Sequence, residues 1–144
     1  MPADRMSGVS GKPLTQKLGI KPGFCIFTNR TPTAYRGIVG RLPADVTLVL
    51  RLAGGLDMVH LFATEAAALA GQLGSARDAI APDGMVWVSW PKKSSGIATE
   101  LTDQVVRKIA HPLGLVDIKV CAVDDIWSGL KFVIPKAQRV KRPK

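Results

Sequence analysis

The sequence predicts an α/β sandwich whose sheet is mainly parallel and ends in an antiparallel hairpin. Three observations carry this. Short apolar, β-branched runs alternate with stretches of helical periodicity. One run, "LDMVHLF" (56–62), is apolar on both faces, as a strand buried on both sides of a parallel sheet is. The last two runs, "LVDIKVCAV" and "LKFVIP", are separated only by "DDIWSG", a join of hairpin length. The 144 residues suit one domain. Hydrophobic content of 47% and charged content of 22% are ordinary for a soluble globular protein.

The elements follow in order. "KPLTQKLG" is a short helix, with Pro13 in its first turn and Gly19 at its end. "GFCIFTN" is a strand centred on Cys25 to Phe27. In "TPTAYRGIVGRLP", Thr31 caps and Pro32 opens a helix. Tyr35, Ile38, Val39 and Leu42 share one face of it, and Pro43 ends it. "VTLVLRL" (46–52) is a strand by composition, and "LDMVHLF" is the next. Only Ala53, Gly54 and Gly55 separate these two runs, too few for a full-length parallel crossover. Either the first strand is short or the two form an antiparallel hairpin. Leu69, Leu73, Ala76 and Ile80 make a helical stripe in an alanine-rich stretch from Thr64. Asp83-Gly84 turns the chain into the strand "MVWVSW". A helix with Leu101, Val105 and Ile109 on one face follows, with Asp103 and Arg107 paired on its surface; Pro112 and Gly114 close it. The hairpin completes the sheet.

This order assigns loops to edges. Ligands of open α/β sheets bind beyond the carboxyl ends of the parallel strands. "TNRTP", "PKKSSG", "DDIWSG" and the initial "SGVSGK" all fall on that edge. Lys12, Arg30, Trp90, Lys92, Lys93, Ser94, Trp127 and Ser128 are therefore the candidate ligand-binding residues around one crevice. Backbone amides of a Gly/Ser loop entering a helix suit an anion, lysines add charge, and tryptophan offers stacking surface. "GVSGKP" is not a nucleotide-binding P-loop, because two residues rather than four separate its glycines and Pro13 follows Lys12. His60 reads as a satisfied core histidine ahead of a general base, and His111 sits at a helix end where a cation suits the dipole. Asp124 and Asp125 read as turn formers or as acids facing the lysines. No catalytic triad and no metal set assembles.

Charge and targeting bound the function further. The net charge is +9, and the tail "KAQRVKRPK" (136–144) holds Lys136, Arg139, Lys141, Arg142 and Lys144 with no acid. We read 1–135 as one domain and 136–144 as a basic, disordered tail open to non-specific polyanion contact. Cys25 and Cys121 lie in apolar runs and read as buried thiols. The first residues lack the apolar core of a signal peptide, and no run nears the roughly 18 apolar residues of a membrane span. A cytoplasmic location is expected.

Two resemblances carry these residues further. The segment from "LDMVHLF" to "GLVDIKVCAVDDIWSGLKFVI" looks like the later strands of a class I methyltransferase fold, which also ends in a strand, a helix and an antiparallel hairpin. The landmarks "SGKPLTQKLGIKPG", "WVSWPKKSSG" with "ELTDQVVR", and "GLVDIKVCAVDDIWSGLKFVI" resemble a family of small bacterial proteins of unknown function. The resemblance implies a three-layer, Rossmann-like, truncated methyltransferase-like sandwich. It also implies a glycine-rich loop after the first strand and an acid at the end of the second, to hold a methyl donor. Here "TNRTPT" and Arg51 stand at those places. The expectation is therefore that no cofactor is bound and that S-adenosylmethionine is unlikely in the usual mode. The leading expectation for function is a non-catalytic binding or regulatory module that accepts an anionic ligand or a protein partner. The alternatives are a methyltransferase-like enzyme with an altered cofactor site, or nucleic-acid association through the tail.

Overall fold

The computed structural model describes residues 13–139. Four helices and six strands follow the expected order: α1 (Leu14–Leu18), β1 (Cys25–Thr28), α2 (Pro32–Val39), β2 (Thr47–Val49), β3 (Leu56–Phe62), α3 (Ala66–Ala79), β4 (Ile80–Pro91), α4 (Asp103–Ala110), β5 (Val116–Ala122) and β6 (Trp127–Val133). One sheet carries all six strands in the order β2-β1-β3-β4-β6-β5. The pairs β1–β2, β1–β3 and β3–β4 are parallel; β6 runs antiparallel to both β4 and β5. This is a mixed, Rossmann-like α/β fold.

Local chemistry explains the helix limits. Thr31 caps α2 by accepting the Ala34 amide at 3.1 Å, and Pro32 needs no donor there. The helix ends at Val39 rather than at Pro43, because Gly40 takes a positive φ that stops it. Thr102 caps α4 in the same way through the Val105 amide. The surface pair of Arg107 with Asp103 forms at 2.8 Å, and Arg107 also reaches Asp117 on β5 at 2.9 Å.

The question left between the runs 46–52 and 56–62 resolves as a short strand. β2 has three residues, and β2 and β3 flank β1 without touching each other. Val49 lies level with Phe27, and Met58 with Ile26. The link 50–55 thus has only about 10 Å to return before β3 begins, well within the reach of six residues. Val49 and Leu52 pack into the α3–α4 layer, so the link passes on that side.

A second departure concerns Asp83-Gly84. They do not end one element before another. Pairing of β3 with β4 runs from Leu56–Ile80 straight to Met58–Met85, and the four residues between bulge out of a continuous strand. Gly84 is required there, since a Cβ would stand 2.9 Å from the Leu56 carbonyl oxygen.

Two apolar layers sandwich the sheet. Leu69, Leu73, Ala76, Val106 and Ala110 from α3 and α4 meet Val59, Val88, Leu130 and Phe132 on one face. Leu18, Tyr35 and Val39 from α1 and α2 meet Ile26, Met58, Trp87 and Trp127 on the other. Trp87 is fully buried, and its Nε1 donates to the Leu18 carbonyl at 2.9 Å, fastening α1 to the sheet. Cys25 and Cys121 are half-buried free thiols rather than fully buried ones, Cys121 because β5 is an edge strand. The first residues of the basic tail make a 3-10 turn, Lys136–Gln138, and Arg139 donates to the Ile134 carbonyl. Among the described residues, no helix is long and apolar enough to cross a membrane.

Candidate functional site

The strand order reverses at β1. From β1 the chain moves outward to β2, then returns past it to β3. Such a switch point leaves a crevice at the carboxyl ends of β1 and β3. The loop after β1 (29–31) lies at that edge, and its first residue is fixed firmly. The Asn29 side chain donates to the Phe62 carbonyl and accepts from the Phe62 amide, both at 2.9 Å. An amide side chain thus takes the place of a strand neighbour for the last residue of β3.

This latch sets the position of Arg30. Its guanidinium lies 5.2 Å from the Phe62 ring centroid and 5.1 Å from that of Trp127. The two rings meet edge to face at 5.0 Å. Arg30 Nε is shielded from solvent and has no hydrogen-bond partner among the described residues. A cation held on two rings with a donor unspent has the chemistry to take an anionic hydrogen-bond partner.

Below Phe62 the site rests on a buried polar relay. His60 stacks on Phe62 at 4.4 Å. His60 Nδ1 pairs with the Tyr35 hydroxyl at 2.9 Å and Nε2 with the Ser89 hydroxyl at 2.8 Å. All three side chains are buried. Burial pushes the His60 pKa down to about 3 and the Tyr35 pKa far up, so both are neutral. A neutral imidazole has one donor and one acceptor, and the two hydroxyls complete both. His60 is the core histidine its strand position suggests, and it props the ring on which Arg30 lies.

The other sequence candidates divide between neighbourhoods. The top loops do share an edge. The Lys92 amide donates to the Ile126 carbonyl at 2.7 Å, and Pro91 pairs with Trp127. Arg30, Lys92 and Trp127 therefore share that edge. Lys93 and Ser94 are exposed on the 3-10 turn Lys93–Ser95. Ser128 is half-buried within β6, opposite Trp90. Trp90 does not join Trp127 in one crevice, which corrects the expectation of a shared tryptophan lining. It is buried in the α3–α4 layer, because alternate side chains of β4 point to opposite faces. Lys12 and the loop "SGVSGK" lie outside the described residues. Asp124 proves a turn former, its carboxylate accepting the Ile126 and Trp127 amides at 2.8 Å. His111 pairs with Asp117 on the far face at 2.9 Å. Among the described residues no group of side chains could hold a metal.

Sequence reasoning did not single out Asn29, Phe62 or Glu65. Asn29 stood in the quoted loop "TNRTP", but its partner lies 33 residues away. Glu65, just beyond β3, is exposed and is the single acid in the loops that follow β1, β2 and β3.

No protein-family model matches the sequence, and no curated protein matches it. Solved structures do share the fold. A SAM-dependent methyltransferase from Aquifex aeolicus superposes with a TM-score of 0.62 at 14% identity, over 83% of this chain and 86% of its own. Magnesium protoporphyrin IX methyltransferase from Synechocystis, solved with bound SAM, gives 0.53 at 10% identity, over 83% and 74%. A possible exported protein from Bordetella parapertussis gives 0.56 at 10% identity; the chain covers 62% of that protein's length. At such identities the likeness establishes the fold, which is methyltransferase-like.

The expectation about the cofactor is overturned here. The Synechocystis enzyme holds SAM on this same fold. The likeness to SAM-bound and SAH-bound enzymes stands against the expectation, drawn from the missing glycine-rich loop and strand-end acid, that this donor is unlikely. In open α/β sheets such a crevice comes from the strand order and not from loop signatures alone, and this chain has the switch point between β1 and β3.

Proposed function

We propose that this chain is a methyltransferase-like transferase that binds S-adenosylmethionine at the switch point between β1 and β3, through an altered donor site. This favours the enzyme alternative over the non-catalytic module. The observation that carries it is the switch point itself, on a sheet that superposes on methyltransferases over 83% of the chain. The residues present fit the charged end of such a donor. Arg30 offers an unspent, shielded N–H to a carboxylate, and α2 begins directly after it with its positive end. Glu65 is the acid available to ribose hydroxyls, since Leu50 and Arg51 follow β2. When bound, the donor supplies the methyl group; the chain's own part is to orient it by charge and to shield it beside Phe62 and Trp127.

Isothermal titration with S-adenosylmethionine and S-adenosylhomocysteine tests the reading. Both are expected to bind. Arg30→Ala is expected to weaken binding by about tenfold or more, the scale of one charge-assisted hydrogen bond. If neither ligand binds the intact chain, the proposal fails.

A further inference from the structure

The face of the sheet carrying α1 has an unusual charge arrangement where it extends over β6 and β5. Lys119 on β5 and Lys131 on β6 are direct cross-strand partners. Like charges so placed destabilise a sheet. Nothing described offsets them. Neither forms an ion pair with a described carboxylate, and the pairs that do form, around Arg107 and Asp117, are on the α4 side. Lys119 Nζ instead donates to the Lys17 carbonyl at the end of α1, at 2.8 Å.

Three more lysines join this pair. Lys21, just after α1, acts on Lys131, whose pKa is lowered first by burial and then by Lys119 and Lys21. Lys17, Lys119 and Lys92 act together on the Cys121 thiol, whose pKa burial nonetheless raises. Lys119 and Lys131 thus share the face on which α1 ends, Lys131 Nζ lying beside Gly19, and the charges of Lys17, Lys21 and Lys92 are felt there. The two acids of the nearby hairpin turn do not pair with them, and Asp124 is engaged by backbone amides.

We propose that this lysine face binds the phosphate backbone of a nucleic acid. The set spans two strands, about 5 Å apart, and the helix beyond them. That is broader than one phosphate group and matches a chain of them. The aromatic rings near the lysines are covered rather than displayed: Trp87 is fully buried, and Trp127 nearly so, while the apolar side chains exposed beside Lys119, Ile118 and Val120, are aliphatic. The surface therefore suits backbone contact rather than base stacking, and affinity depends on salt rather than on sequence. Of these lysines only Lys92 stands at the edge that also carries Arg30, and the role of the Lys119–Lys131 pair does not depend on the donor reading.

Fluorescence anisotropy of the full chain with a labelled single-stranded oligonucleotide, across a range of NaCl concentrations, tests it. The double variant Lys119→Gln, Lys131→Gln is expected to make the slope of log K against log salt shallower by about 1.4, the single-strand value for two phosphate contacts. Lys131→Glu is expected to weaken binding by about tenfold or more while raising the melting temperature, because it turns a like-charge pair into an ion pair and leaves the bond of Lys119 to the Lys17 carbonyl in place. A rise in melting temperature with a fall in affinity cannot come from misfolding, and the neutral double variant keeps the test readable if the Glu variant folds poorly. The proposal is overturned if the chain does not bind, or if both variants bind with unchanged affinity and slope, which would place binding elsewhere, such as the tail. It is equally overturned if inorganic phosphate displaces the oligonucleotide at equal phosphate concentration.

Discussion

Asn29 and Phe62 are joined by two hydrogen bonds of 2.9 Å, one to each backbone group of Phe62. The side chain of a loop residue thereby completes the last rung of β3, and the following Arg30 is delivered onto the Phe62 ring. Asn29→Ala leaves two part-buried backbone groups without partners and is expected to cost about 2 kcal/mol. Urea unfolding at neutral pH measures it. An unchanged midpoint would show that the latch is dispensable.

His60 makes stability depend on pH in one direction. Its folded pKa, about 3, lies below the ordinary histidine value of 6.5 because burial opposes the charge. The unfolded chain therefore binds the extra proton more readily. Stability from this group is fully present above about 6.5 and is lost as pH falls toward 3. The denaturation midpoint should decline across that window. His60→Gln, which has no charge to gain, should flatten the part of the decline above about pH 5, where carboxylates contribute little. A variant with the same slope would exclude His60 as the cause.

Gly129 is a packing requirement of β6. A Cβ there would stand 2.9 Å from Val123 Cγ2 and 3.2 Å from the Trp87 ring. Because Trp87 is also tied to α1 through Leu18, it has little freedom to retreat. Gly129→Ala is expected to cost about 1–3 kcal/mol, the usual penalty of overpacking. Thermal unfolding and tryptophan emission measure it together, and a shift in neither would show that the sheet can absorb the methyl group.

Arg30→Lys keeps the charge at the switch point but removes the flat contact with Phe62 and Trp127. Lysine is a compact, strongly hydrated cation that does not replace a stacked guanidinium. The variant is expected to lose about 1 kcal/mol of stability and to make the Trp127 ring easier to reach by a soluble quencher. Equal quenching in both proteins would mean that Arg30 does not cover the ring.

Much of the fold was legible because it depends on local pattern. Thr31-Pro32 marked the start of α2, Gly19 and Gly114 marked ends, and the step of Leu69, Leu73 and Ala76 marked α3. Edge assignment followed from the element order alone, which put the Lys92 loop beside the Trp127 turn. The site was legible only as a place. Arg30 and Trp127 were both named, but their contact depends on Asn29 finding Phe62, a partnership between residues distant along the chain and unmarked by any motif.

The sequence by itself determined the order of helices and strands, the parallel sheet with its antiparallel end, and which loops share the carboxyl edge. Periodicity, caps and link lengths are short-range properties, and they suffice for that. Only the tertiary structure decided that β1 separates β2 from β3, that Trp90 and Trp127 lie in opposite layers, and that Lys119 faces Lys131. Each of those depends on strand order or register. A shift of one residue turns a side chain to the other face, and register is settled by packing between segments far apart in the chain.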